Sequence, residues 1–249
     1  MELFKLTVIF LIGASLGSFV NVMVMRMEKG ESFVRGRSKC LKCNHPLSLF
    51  DTIPFISYAM LIGKCRYCGK PISFRYPVSE LLGGLAGVLS YYKCDLSIRG
   101  IIELVIMLNL LAIALYDYDT MYIPDIYIIS LGIFTIGVII TGSCTPFERG
   151  AGALVIGIPM LFLIITTGGF GVGDLFLAVI MGLCFGYKKV VIGFILAIII
   201  GSLEAIYLIV RKNRTGKDHM PFAPVFCLGM AIAVFFGERI IDIYSSLLP

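Results

Sequence analysis

Two stretches put carboxylates at breaks in apolar runs: Asp117-Tyr-Asp-Thr-Met-Tyr-Ile-Pro-Asp125, and Gly171-Val-Gly-Asp174 about fifty residues later. A charged acid at the middle of a bilayer costs roughly 2.5 to 3.5 kcal/mol on insertion scales and less toward the interface, so such residues face a bundle interior and carry function. Two carboxylates brought together hold one proton between them, because like charge in a low dielectric opposes the second ionisation. One can then take a proton from water while the other gives a proton to a carbonyl, which is the chemistry of an aspartyl protease. Structural roles compete for each residue. Asp174 follows two glycines and could cap a helix, and Asp125 beside Pro124 suits a first turn. The pairing of the two stretches is what points to catalysis.

A second chemistry is written in cysteine. Cys40-Leu-Lys-Cys43 and Cys65-Arg-Tyr-Cys68 are two Cys-x-x-Cys pairs separated by 21 residues, slightly more than the usual ribbon spacing. Four thiolates in this pattern can surround a structural zinc ion tetrahedrally, each pair forming a tight knuckle. Disulfide or redox pairs are the competing reading, which a reducing cytosol disfavours. No fifth polar ligand accompanies the four, so the site is closed and not catalytic, and His45 reads as an ordinary loop residue. Cys94 and Cys144 fall in loops where an oxidising compartment would permit a bond, while Cys184 and Cys227 read as small packing residues.

These groups need a membrane bundle to position them. A mean hydropathy of +0.95, with 58% apolar and 15% charged residues, excludes a soluble domain of this length. The expected fold is an all-α polytopic bundle of about eight transmembrane helices, near 5–25, 78–93, 98–116, 123–141, 150–168, 174–187, 189–210 and 221–245. Residues 1–25 form the first span, which is retained and not cleaved as a signal peptide. Residues 26–77 form a basic loop carrying the zinc-ribbon-like cysteine site, and residues 78–249 form the bundle with the two aspartates. Ten Lys and Arg lie in residues 26–77 and four in 211–220, against seven elsewhere. The positive-inside rule makes those two loops cytosolic, and parity then puts 117–122 and 169–173 on the same face.

The loop's local charge of +7, from ten basic and three acidic residues, suits anionic membrane lipid. Nucleic acid is not an expected partner, since no basic helix or stacking motif accompanies the charge. In the first span Gly13 and Gly17 allow close helix approach, and Asn21 supplies a polar group within the membrane. Glu80 stands near the membrane surface at the start of the second span, where it could pair with a loop cation or face a ligand. Glu103, Asn109 and Glu204 add polar groups inside later spans. No internal repeat is evident.

In order along nearly the whole chain, Gly17-Ser-Phe-Val-Asn-Val22, the two cysteine pairs, Asp51-Thr-Ile-Pro-Phe-Ile-Ser-Tyr58, Gly63-Lys-Cys-Arg66, Arg75-Tyr-Pro77, Glu80, Asp117 to Asp125, Gly171 to Asp174 and Pro221-Phe-Ala-Pro224 resemble the type IV prepilin peptidase family. One departure is Ala223, where the family pattern has glycine before the second proline. The resemblance implies an enzyme of the bacterial inner membrane that works at the cytosolic face. It implies removal of a basic leader from prepilins or pseudopilins, and N-methylation of the new terminus with S-adenosylmethionine. It assigns catalysis to Asp117 and Asp174, since the family's first aspartate lies seven residues before the proline. Asp119 and Asp125 are left to positioning or capping, and Gly171 and Gly173 to close approach of the substrate backbone. Asn21 and Glu80 mark the region expected to hold the methyl donor, for which the residues show no Gly-x-Gly-x-x-Gly fingerprint. The rival readings are an intramembrane aspartyl protease without methyl transfer, and a proton-coupled transporter whose acids relay protons.

Overall fold

The computed structural model describes residues 1–32, 38–142, 144–212 and 220–247. Among them are eight α-helices and no strand: α1 (Glu2–Glu28), α2 (Ile56–Met60), α3 (Arg75–Cys94), α4 (Ile98–Thr120), α5 (Asp125–Ile140), α6 (Pro146–Thr167), α7 (Val172–Lys212) and α8 (Ala223–Leu247). Five of them, α1, α4, α6, α7 and α8, are long and apolar enough to cross a membrane, as expected of a polytopic bundle. The basic stretch 211–220 falls, from 213 to 219, outside the described residues, as do 33–37 of the first loop. The chain divides into two compact units, Met1–Gly100 and Ile101–Pro249, with the boundary in the first turn of α4.

In the first unit α1 and α3 form an antiparallel hairpin sealed by glycine. A Cβ on Gly13 would run into the Gly83 carbonyl, and one on Gly17 into the Ser79 carbonyl; farther along, one on Gly87 would press the Ile9 carbonyl at 3.2 Å. Backbones this close gain dispersion and exclude lipid, which is how helices associate where no hydrophobic drive exists between them. α3 is less apolar than α1 and 16 residues of α5 are short for a span, but α3 lies along α1 through most of its length. Where α1 crosses the bilayer, α3 accompanies it.

The second unit is built of hairpins. α4 and α5 run antiparallel, with Asn109 donating to Ser130 at 2.7 Å and Tyr116 edge-on to Tyr127. α6 crosses the first half of α7 at Gly152 and Gly182, and the second half of α7 crosses α8 at Gly193 and Gly229. α7 is two helical halves that meet at a kink, where Gly186 has φ 78° and ψ 171°, outside the helical region. The expected spans 174–187 and 189–210 are the two halves on either side of this residue. Both halves return to the same part of α8: Ala197 backs onto Gly229, and Asp174 lies within Coulombic reach of Cys227. The helix termini are signalled locally. Thr145 and Glu148 form a capping box before α6, with Pro146 in its first turn, and Gly168 ends it in the left-handed conformation.

A break inside a helix strands carbonyl groups, and Arg149 takes them up. Its guanidinium donates to Leu183 and Cys184 at 2.9 Å and to Val138 and Cys144 at 3.3 Å, with the residue only 5% exposed. Cys144 adds a thiol contact to the Phe185 carbonyl, and no disulfide joins any of the eight cysteines. Replacing Arg149 with Met keeps the bulk and leaves at least two buried carbonyls without donors, so the second unit should lose about 3 kcal/mol in a denaturant titration in detergent. Arg149→Lys, which keeps the charge without the planar fork, should recover only part of that loss.

Candidate active site and metal centre

The ends of α4 and α6 and the starts of α5, α7 and α8 meet at one end of the second unit, and the aspartates stand there. α4 stops one turn past Asp117: Met121 adopts φ 54° and returns its N–H to the Asp117 carbonyl at 2.8 Å. Asp117 therefore occupies the last turn, 5% exposed, facing inward. Its Oδ2 accepts the N–H of Ala223 at 3.1 Å, the first residue of α8. First-turn amides have no partner within their own helix, so α8 supplies this donor with no side chain involved. Pro221-Phe-Ala-Pro224 explains the arrangement, since proline starts the helix and leaves the neighbouring amide free to reach across.

Asp174 sits in the first turn of α7 and is half-buried. Its Oδ2 accepts the Gly171 N–H at 3.0 Å, so it reaches back from the third position of the turn while Gly171, not Asp174, takes the N-cap place. It also lies within Coulombic range of Asp117, and Cys227, 3% exposed in α8, lies within range of both. Asp119 and Asp125 are exposed, the latter in the first turn of α5. Gly171 is exposed, whereas a Cβ on Gly173 would meet Ile123 at 3.2 Å, so this glycine lets α7 press against the loop that follows Asp117. A cluster of Phe170, Phe194, Phe222 and Phe226, with ring centroids 5.0 to 6.4 Å apart, closes the α8 side. The site thus offers two carboxylates, one backbone donor and an apolar wall, a set able to polarise water and protonate a leaving group.

In the first unit the four sulfurs of Cys40, Cys43, Cys65 and Cys68 lie within 4.8 Å of one another. Four bonds of about 2.3 Å in a tetrahedron need sulfurs about 3.8 Å apart, so the cluster can hold a metal ion after a small contraction. The knuckles are a repeat after all, over eight residues each. In Lys39-Cys-Leu-Lys-Cys-Asn-His-Pro46 and Lys64-Cys-Arg-Tyr-Cys-Gly-Lys-Pro71, lysine and proline form a bridge. The first cysteine's N–H donates five residues ahead at 2.9 Å, and its carbonyl accepts from four residues ahead at 2.8 or 2.9 Å. The repeat hides in sequence because only the Lys-Cys, Cys and Pro positions are shared. His45 is no ligand: its ring stacks on Tyr67 with centroids 3.7 Å apart.

Asp51 joins the knuckles. Its carboxylate accepts from the Ser48 hydroxyl at 2.8 Å and amide at 3.1 Å, from Arg66 at 2.8 Å and from Tyr67 at 3.1 Å. Burial works to raise its pKa, but these donors outweigh it and hold the carboxyl below the usual range. Its contribution to loop stability is therefore full above the unfolded carboxyl's pKa and fades as pH falls through the lower folded value. With zinc added to the cluster, Asp51→Ala should speed its loss to a chromogenic chelator and weaken affinity on the order of tenfold, as for other groups that orient metal ligands.

Between the knuckles and α1 lies a cavity of about 760 Å³, its walls including Ser18, Phe19, Met25, Cys40, Tyr58 and Glu80. Glu80 is 7% exposed and accepts from Ser18 at 3.0 Å and from the Phe55 N–H at 3.0 Å. Asn21 is wholly buried one turn beyond Ser18, neither amide atom has a hydrogen-bond partner among the described residues, and it is not part of the cavity wall.

Comparison with known proteins gives a consistent result. The family described as Bacterial Peptidase A24 N-terminal domain matches residues 11–94, and the Type IV leader peptidase family matches residues 104–206. The chain is 28% identical to a prepilin leader peptidase/N-methyltransferase of Bacillus subtilis over 97% of its own length and 98% of the relative's. A protein of the same description from Neisseria gonorrhoeae is 30% identical, with 86% and 84% covered, and one from Pseudomonas putida is 27% identical, with 97% and 93% covered. No solved structure matches the chain.

Proposed function

Since the chain belongs to the type IV leader peptidase family, we propose that it cleaves the basic leader from prepilins or pseudopilins at the cytosolic face of the bacterial inner membrane, using Asp117 and Asp174 as an acid–base pair. The observation that carries this reading is the buried Asp117, fixed by the Ala223 amide and within Coulombic range of Asp174 at the head of α7. With one proton on the pair, the ionised carboxylate removes a proton from water as the oxygen attacks the scissile carbonyl. The protonated carboxylic acid gives its proton to the carbonyl oxygen, forming a tetrahedral diol. Collapse of the diol passes a proton to the leaving amine, and no covalent enzyme intermediate forms. Gly171 leaves space for an extended backbone at the head of α7, Gly173 seats α7 against Ile123, and the exposed Asp119 and Asp125 stand at the two ends of the loop between α4 and α5.

The second activity proposed is N-methylation of the new terminus, with S-adenosylmethionine as donor and the cavity of the first unit as its place. A volume of about 760 Å³ lies within the range of small-molecule sites, and Glu80 brings a carboxylate to its wall. Glu80 and the cavity's apolar floor would hold the donor, which supplies an activated methyl group when bound. The cysteine cluster is assigned a structural zinc ion that keeps the loop side of the cavity in shape. Incubating the purified enzyme with a prepilin-like peptide and following its mass tests both activities: loss of the leader, then a gain of about 14 Da for one methyl. An intact peptide overturns the peptidase, and a cut within the apolar segment in place of the leader boundary favours the intramembrane protease. Cleavage without the mass gain removes the methyl transfer alone.

A further inference from the structure

We propose that the segment from Thr52 to Ile62 is embedded in lipid, with α2 and the turns on either side sunk among the acyl chains beside the α1–α3 hairpin instead of resting in water above them. The hairpin provides the ruler. Its charged end is marked by Arg26, Glu28 and Arg75, with Arg75 4.0 Å from Glu28. Glu80 lies five residues farther along α3 and Gly84 nine, or about 7 and 13 Å deeper at 1.5 Å per residue. The Phe55 N–H donates to Glu80 at 3.0 Å, and the Phe55 ring stacks on Phe10 with centroids 5.7 Å apart. Phe10 in turn lies directly over Gly84. The loop therefore reaches well below the level of its own charged neck.

What the segment turns outward agrees with that depth. Met60 is 74% exposed and Ile62 83%, Ile56 is half exposed, and Phe50, just before the segment, is 76% exposed. Residues 52–63 contain no charged side chain, although the loop around them is rich in lysine and arginine. Charge resumes at Lys64, Arg66 and Lys70, where a headgroup layer would receive it. Much of the backbone is paired internally as well, since the amides of Ser57, Ala59, Leu61, Ile62 and Gly63 donate to carbonyls within the segment. Ile62 does so with φ 52°, a strained setting for a β-branched residue that displays its side chain outward. Acyl chains are the occupant that fits both the depth and the absence of charge.

The chain contains no tryptophan, so one substitution makes a single emitter. Full-length M60W and I56W, each checked for unchanged helical circular dichroism, are reconstituted in phosphatidylethanolamine–phosphatidylglycerol vesicles with brominated acyl chains. L41W, in the first knuckle, serves as the reference. The expected result is blue-shifted emission from both, quenched at least twofold more by the brominated lipid than L41W, and quenched less by acrylamide in the water. Emission no more sensitive to brominated lipid than that of L41W overturns the proposal. Accompanying acrylamide quenching would put the segment in water, and protection from both quenchers would put it against protein.

Discussion

Asp117→Asn and Asp174→Asn are each expected to lower leader cleavage by at least about 10⁴-fold while leaving the bundle folded, because each removes one partner of the proposed shared proton and neither carboxamide can replace it. Asparagine is chosen because it separates catalysis from architecture. An Asn carbonyl at 117 can still accept the Ala223 amide, and one at 174 can still accept the Gly171 amide. If capping were the whole role, D174N would keep its activity. The exposed Asp119 and Asp125 give the internal control, and their Asn variants should stay within about twofold of the parent. The parent's rate should be bell-shaped in pH, since the pair must be singly protonated and titrates in two macroscopic steps. Single-turnover cleavage of a prepilin peptide, followed by mass, gives all of these. Full activity in either buried variant would remove that residue from the reaction.

Side-chain chemistry and periodicity are legible in a sequence, whereas backbone donors and chain reversals are not. The four cysteines announce their own cluster, and the spans near 98–116 and 221–245 are apolar enough to be found by length alone. Separating 174–187 from 189–210 is possible because Gly186 and Lys188 interrupt the apolar run, and the kink falls at that glycine. Arg149 reads as a loop cation, yet its guanidinium is bound to four carbonyls from three parts of the chain, and carbonyls leave no trace in side-chain identity. The Ala223 amide is hidden in the same way. It also explains why alanine serves at 223, since the group that reaches Asp117 is the N–H and any residue but proline carries one. Cys227 reads as packing, and its nearness to both acids comes from the pairing of α7 with α8, which no local pattern encodes.

Stripping the proposed zinc, or replacing Cys65 with Ser, should unfold the loop between α1 and α3 while leaving the helices in place. Structural zinc sites bind with an apparent 10 to 16 kcal/mol, more than a loop with so little apolar core can supply from packing. Apart from the proposed metal, the contacts that hold the knuckles among the described residues include the Asp51 hub, the His45–Tyr67 stack and two isolated bridges. Cys65 is the most telling ligand to change, because it is 6% exposed and carries both signature hydrogen bonds of the second knuckle. Metal analysis should find one zinc per chain in the parent and none in C65S, limited proteolysis should open residues 38–72, and far-ultraviolet dichroism should barely move. The two proposed activities should then part. The cavity loses the wall built from Cys40 and Cys65, so methyl transfer should fall at least tenfold, whereas Asp117 and Asp174 belong to the other unit and should keep more of their hydrolytic rate. Equal loss of both activities would mean that the loop also seats the substrate for cleavage, and unchanged methylation would take the donor out of the cavity.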